Sequence, residues 1–369
     1  MTRAFICVLV LLTACSSTDD GTEASASAVI DDDAVAPDTT DASDTTDAGS
    51  SSTTTAVESS TTTAVETTTT AAPVPLIDAC VTNRVPEIGS QNGVVRSGGH
   101  EYDVLWTVPG SYDTEPVALV LDFHGIGSNG PEQNAFGGFG AMAEAEGFVA
   151  VEPTGQHTIE DARKSWELPQ FDTDERDDVA FVVDLIDFMA AQVCVDQQRI
   201  YATGMSNGGL FTSVLVCDLS ERIAAAVSVA GVTHPETCSP SRAVPFMAFH
   251  GTDDTVVPYG GGGESTLSGS EGSGDFFEQV MPDEMAEFAA DFACADFADS
   301  VISAEVSLRS WSGCRDDVDV IFYTIEGGGH TWPGSGLSRA FESGLGYTTL
   351  DVNATEVAWE FFERNPLPG

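Results

Sequence analysis

From about residue 100 onward, short apolar runs alternate with longer amphipathic stretches. Residues 101–108, 117–123, 148–151, 200–203, 224–229, 244–249 and 318–325 are rich in β-branched and aromatic side chains, the composition of strands. Between them, Val179, Val182, Val183, Ile186, Met189 and Ala190 recur at helical spacing on one face. Asp177 and Asp178 open that stretch, where carboxylates favour the positive end of a helix dipole. Residues 208–219 and 352–364 read as two further helices. Strands alternating with helices in this order predict an α/β fold, a mostly parallel central sheet with helices on both faces.

Residues 16–75 break this pattern. They hold twelve acidic residues, no Lys, Arg or aromatic, and consist mostly of Thr, Ser and Ala with a short repeat, TTTAVE at 53–58 and again at 61–66. Such a segment buries too little apolar surface to offset its conformational entropy, so it is expected to be a disordered tether with a root-mean-square reach of about 40–45 Å. The whole chain of 369 residues carries a formal charge of −46 and a single lysine, Lys164. Removing the first 75 residues leaves 47 acidic and 12 basic residues, a net of −35 on 294 residues. That balance excludes a nucleic-acid partner and electrostatic docking on anionic lipid, both of which need clustered cations. It favours neutral substrates.

The first fifteen residues combine Arg3, an apolar run over residues 4–12 too short to span a bilayer, and Leu12-Thr13-Ala14-Cys15. The last four resemble the lipobox of bacterial lipoproteins. The resemblance implies a signal peptide at 1–14, a lipid on Cys15 and membrane attachment through it, outside the cytoplasm; the composition then divides the rest into the tether over 15–75 and a folded domain over 76–369. Six cysteines remain in that domain, Cys80, Cys194, Cys217, Cys238, Cys294 and Cys314, and an even number in an exported chain points to disulfides. Among the possible pairings, short loops favour Cys217–Cys238 and Cys294–Cys314, leaving Cys80–Cys194. No CxxC pair or His spacing suggests zinc, and no metal or cofactor is expected.

Gly204-Met205-Ser206-Asn207-Gly208 is a GxSxG match between an apolar strand and a helical stretch, the context of a nucleophile elbow. In that arrangement the acid and then the histidine follow the serine along the chain. His250-Gly251-Thr252-Asp253-Asp254 ends an apolar strand, and the HGxxDxxVP spacing favours Asp254 over Asp253 as the acid. Only His330, in a Gly-rich loop after the strand 318–325, then follows it; His250 is read as a buried turn residue. Backbone N–H groups must hold the developing oxyanion. Asn207, next to the serine, is one candidate; the other lies in His124-Gly125-Ile126-Gly127, with Ile126 ahead of Gly127. Trp166 and Trp332 are candidate substrate contacts. The acidic stretch Asp172, Asp174, Glu175, Asp177 and Asp178 reads as a solvated loop in preference to a calcium site.

The elbow, the residues 250–258, the loop 327–334, His124-Gly125, Ser165-Trp166 and Asp177-Asp178-Val179 together resemble the bacterial esterase/polyhydroxybutyrate depolymerase family, akin to feruloyl and acetylxylan esterases. The resemblance runs over roughly residues 80–362. It implies an α/β-hydrolase fold, a Ser206–Asp254–His330 triad and hydrolysis of carboxylic esters without a cofactor. The chain departs from the family in a Gly/Ser-rich insertion at 260–274 and in lacking a visible polymer-binding domain, which favours soluble feruloyl, acetyl-sugar or short 3-hydroxybutyrate esters. A serine peptidase on the same fold and a non-catalytic surface binding protein are the competing readings. The oligomeric state is left open.

Overall fold

The computed structural model describes residues 80, 86–159, 163–168, 176–262 and 280–369, which fall in one unit over Ala71–Gly369. The signal segment 1–14, Cys15, the tether 15–75, Asp172, Asp174, Glu175 and residues 263–274 of the insertion lie outside the described residues. Among the described residues no helix is long and apolar enough to cross a membrane.

Among the described residues twelve strands and eight α-helices follow in order. The first four strands are β1 (Gly89–Ser97), β2 (His100–Val108), β3 (Val117–Phe123) and β4 (Val149–Pro153), with α1 (Gly130–Gly137) and α2 (Phe139–Glu146) between β3 and β4. A small hairpin, β5 (His157–Ile159) and β6 (Arg163–Ser165), precedes α3 (Asp178–Gln192). Then come β7 (Val195–Met205), α4 (Asn207–Asp218), β8 (Ala225–Val229), β9 (Phe246–Gly251) and α5 (Met281–Asp291). The chain closes with β10 (Asp296–Val301), β11 (Val306–Ser312), β12 (Val320–Ile325), α6 (Gly336–Ala340), α7 (Glu342–Leu345) and α8 (Ala354–Arg364).

Ten strands form one sheet in the order β1-β2-β4-β3-β7-β8-β9-β12-β11-β10. The six central strands, β4 to β12 in that order, run parallel, and the pairs at each edge are antiparallel. β3, β8 and β9 are buried along their whole length, as strands covered on both faces must be. One core layer packs α3, α4 and α5 on one face, and a second packs α2 and α8 on the other. This is the α/β architecture expected from the alternation of elements.

Local rules account for the helix ends. Asp177 caps α3 by accepting from Ala180 N–H at 2.7 Å, and Asn353 caps α8 through Thr355 and Glu356 N–H. Asp178 lies in the first turn of α3, as expected, and has a second role. It is buried, takes Tyr102 O–H at 2.7 Å and Glu167 N–H at 2.8 Å, and so ties β2 and the 163–168 segment to the start of α3. The buried face of α3 is Phe181, Val182, Leu185, Ile186, Met189 and Ala190, rotated from the expected one so that Val179 and Val183 are only partly covered. Three disulfides, Cys80–Cys194, Cys217–Cys238 and Cys294–Cys314, staple the unit. They are the pairings expected from loop length and remainder.

Candidate active site

The turn between β7 and α4 carries Ser206 at φ 57° and ψ −124°, a conformation that costs a non-glycine residue about 1–3 kcal/mol and persists only when its surroundings impose it. Here they do. A Cβ on Gly208 would lie 2.0 Å from Phe123 O, and one on Gly204 would lie 2.5 Å from Gly208 O. Only glycine lets β3, β7 and α4 close to this distance. Ser206 N–H is held by Val229 O at 2.9 Å, and Ser206 O accepts from Leu210 N–H at 2.9 Å. The serine thus stands at the mouth of α4, beside the free N–H groups of its first turn.

The loop after β9 delivers Asp254, and the loop after β12 delivers His330. Asp254 Oδ2 accepts from His330 Nδ1 at 2.8 Å, while its Oδ1 accepts from Val256 N–H at 2.8 Å and Val257 N–H at 2.9 Å. Burial pushes this carboxyl upward, but His330, His250 and the Val257 N–H together outweigh it and hold it below its ordinary value. It is therefore a carboxylate at neutral pH, fixed on three sides. Asp253, its rival by sequence, is exposed and uses only its backbone N–H, which donates to Gly328 O. His250 is buried, and its Nε2–H donates to Val257 O at 2.8 Å. Burial lowers its pKa, so it stays neutral and shapes the acid loop, as expected for a turn histidine.

His330 is held by its own backbone, with N–H to Leu345 O at 2.6 Å, and a Cβ on Gly329 would meet that same carbonyl at 2.2 Å. Ser206 and His330 line one cleft of about 290 Å³, together with Gly125, Ile126, Gly127, Phe136, Val256 and Leu345. Among the described residues no hydrogen bond joins Ser206 Oγ to His330. Catalytic contacts of this kind are often long without substrate and tighten when it binds.

Opposite the elbow runs the loop after β3. Its Gly127 N–H is committed to Lys164 O at 2.7 Å, whereas Ile126 N–H has no acceptor among the described residues. His124 accepts Gly155 N–H on Nε2 at 2.9 Å, so its proton sits on Nδ1 and is donated to Gly125 O at 2.6 Å. Burial lowers its pKa to about 4, which keeps the ring neutral.

The two tryptophans expected at the substrate do not reach it. Trp166 is 1% exposed and lies in the layer between Phe123, Phe181 and Phe211. Trp332 is 0% exposed, packs against Phe139 and donates Nε1–H to Thr355 Oγ1 at 2.9 Å. Both are large apolar side chains, and each is taken up by a core layer. Sequence reasoning missed Phe136, Val256 and Leu345 as cleft walls, because the loops and short helices that carry them lack a periodic signal.

Residues 102–259 match the sequence pattern of the Esterase PHB depolymerase family. The chain carries an esterase PHB depolymerase domain. This domain is that of carboxylic ester hydrolases, and its relatives are esterases. The chain is 27% identical over 307 residues to the putative esterase NocK of Nocardia uniformis subsp. tsuyamanensis, covering 78% of this chain and 84% of that protein. It is 31% identical over 172 residues to feruloyl esterase B of Piromyces equi, covering 45% of this chain but only 31% of that protein. In structure it resembles the acetyl xylan esterase from Aspergillus awamori, with a TM-score of 0.50 and 13% identity over 74% of this chain and 99% of the other. The last likeness concerns the fold alone.

Proposed function

We propose that the chain is an exported, lipid-anchored serine esterase that works through an acyl-enzyme. The observation that carries this reading is the contact of His330 Nδ1 with the buried carboxylate of Asp254, beside the cleft that Ser206 lines. With Nδ1 engaged, Nε2 of His330 is the nitrogen available to Ser206. His330 takes the serine proton as Oγ attacks the ester carbonyl. Asp254 fixes the imidazole tautomer and stabilises the imidazolium. The N–H groups of Asn207 and Ile126 hold the oxyanion; Ile126 is preferred because Gly127 N–H is already spent on Lys164 O. His330 then returns its proton to the leaving alcohol, and water deacylates Ser206.

The cleft walls, Ile126, Phe136, Val256 and Leu345, are apolar, and the acidic side chain among its lining residues is Glu132. This suits a neutral ester, such as a feruloyl or acetyl sugar ester or a short 3-hydroxybutyrate oligomer. Three disulfides suit an oxidising compartment. Attachment through Cys15 is tested by detergent-phase partition of the protein from cells, which Cys15→Ala abolishes under this reading. The chemistry is tested by steady-state kinetics on p-nitrophenyl acetate. Ser206→Ala loses turnover by several orders of magnitude, and full turnover in that variant refutes the assignment.

A further inference from the structure

We propose that Trp166 is the positioning residue of the oxyanion hole, setting the distance between its two N–H donors from beneath the cleft. The inference rests on the serine-esterase reading above. Trp166 touches both walls of the site at once. Its backbone is clamped to the elbow by the side chain of Asn207: Trp166 N–H donates to Asn207 Oδ1 at 2.7 Å, and Asn207 Nδ2–H donates back to Trp166 O at 3.1 Å. Its indole Nε1–H donates to His124 O at 3.0 Å, in the facing loop. One buried residue therefore bridges, by its backbone on one side and its indole on the other, the residue that supplies one donor and the loop that supplies the other.

The bridge is stiff at each end. The indole stacks on Phe211 of α4 at 5.3 Å and 8°, and meets Phe123 of β3 edge-on at 5.1 Å. The loop it grips is held at two further points, His124 Nδ1–H to Gly125 O and Gly127 N–H to Lys164 O. The three bonds fix the backbone on both sides of Ile126 and leave its N–H without an internal acceptor among the described residues. Asn207 sits at the first turn of α4, where a side-chain amide has no helical duty, and both ends of its amide are used on Trp166. A purely packing role for Trp166 needs neither the pair of bonds to Asn207 nor the indole bond to His124 O.

An oxyanion hole works because its donors are fixed before charge develops, so loosening one wall costs transition-state binding more than substrate binding. Trp166→Phe keeps an aromatic ring in the stack and removes the bond to His124 O together with part of the indole volume. Asn207→Ser keeps the backbone donor and removes the two-bond clamp. Rates on p-nitrophenyl acetate are normalised to the amount of Ser206 that a fluorophosphonate titrates, so that misfolded protein does not count. Each variant is expected to lose about tenfold in kcat, short of the 10²–10³ that follows complete loss of a donor, with KM within about twofold. The inhibition constant of a trifluoromethyl ketone, which adds Ser206 Oγ to form an oxyanion, is expected to rise by the factor by which kcat/KM falls.

Wild-type kcat per titrated site, or an unchanged inhibition constant, in a folded variant overturns the proposal even if thermal stability drops. If Trp166→Phe does not fold, Asn207→Ser decides alone. Failure of the wild-type protein to hydrolyse the ester or to label at Ser206 removes the underlying reading instead, so the two failures are distinguishable.

Discussion

Asp122 and Glu152 are the sharpest test of how burial and charge are balanced in this sheet. Each is 0% exposed. They follow Leu121 and Val151, which face each other in the parallel pair β3–β4, so the two carboxyls sit side by side on one face of the sheet. Asp122 Oδ1 accepts Gln133 Nε2–H at 2.8 Å, while Asp122 Oδ2 and both Glu152 oxygens have no partner among the described residues. Among the described residues no cation offsets the two negative charges, and burial raises both carboxyls well above their ordinary values, with Asp122 adding to the rise at Glu152. The folded protein therefore keeps protons here that the unfolded chain releases above about pH 4. Where the folded state binds the extra proton, stability falls as pH rises, by about 1.4 kcal/mol per pH unit for each proton retained. Asp122→Asn mimics the protonated acid: its Oδ1 still accepts from Gln133 and its Nδ2 can donate to Glu152. The variant is expected to become the more stable of the two as pH rises above the ordinary carboxylate range, the gap widening by about 1.4 kcal/mol per unit for as long as folded Asp122 keeps its proton. Urea denaturation at pH 5, 6, 7 and 8 measures this. The difference cancels the slope from surface carboxylates and from Glu284, which burial raises to about 7 in both proteins. Stability curves that run parallel from pH 5 to 8 refute the reasoning, and Glu152→Gln provides an independent second measurement.

Three further expectations follow from the site and its frame. Asp254→Asn lowers kcat on p-nitrophenyl acetate by about 10⁴ while Asp253→Asn leaves it within twofold, a contrast read by parallel kinetics. Gly208→Ala places a methyl 2.0 Å from Phe123 O and is expected to abolish activity together with the cooperative thermal transition, as followed by circular dichroism. Replacing Cys80 and Cys194 together by Ser, which opens a loop with a separation of 114 residues, costs about 4–5 kcal/mol in urea denaturation, against about 3 for Cys217 and Cys238 at a separation of 21.

Much of the central sheet was legible because its strands are buried on both faces and read as continuous apolar runs. Val117–Phe123 was expected and found residue for residue. β7 was seen only from Ile200, because its first half, Val195–Arg199, is polar and half exposed beyond a register shift against β3. β1, β10 and β11 escaped altogether; β10 is exposed along its whole length and has no apolar alternation to announce it. The contact between Asp254 and His330 followed from chain order, since the α/β crossover brings the loops after successive parallel strands to one end of the sheet. The tryptophans could not be placed that way. A large aromatic on a loop can point into the cleft or away from it, and Trp166 and Trp332 both point away into core layers. Nor did the sequence announce Asp122 and Glu152, because a carboxylate within an apolar strand gives no sign of whether a charge partner awaits it.

The central claim is that Ser206 forms a covalent acyl-enzyme under the control of His330. Intact-protein and peptide mass spectrometry after reaction with a fluorophosphonate tests it most directly. The account predicts one adduct per chain, on Ser206, formed in step with the loss of p-nitrophenyl acetate hydrolysis and slowed by several orders of magnitude in His330→Ala. An adduct on another residue, or hydrolysis that persists after Ser206 is fully labelled, would contradict it.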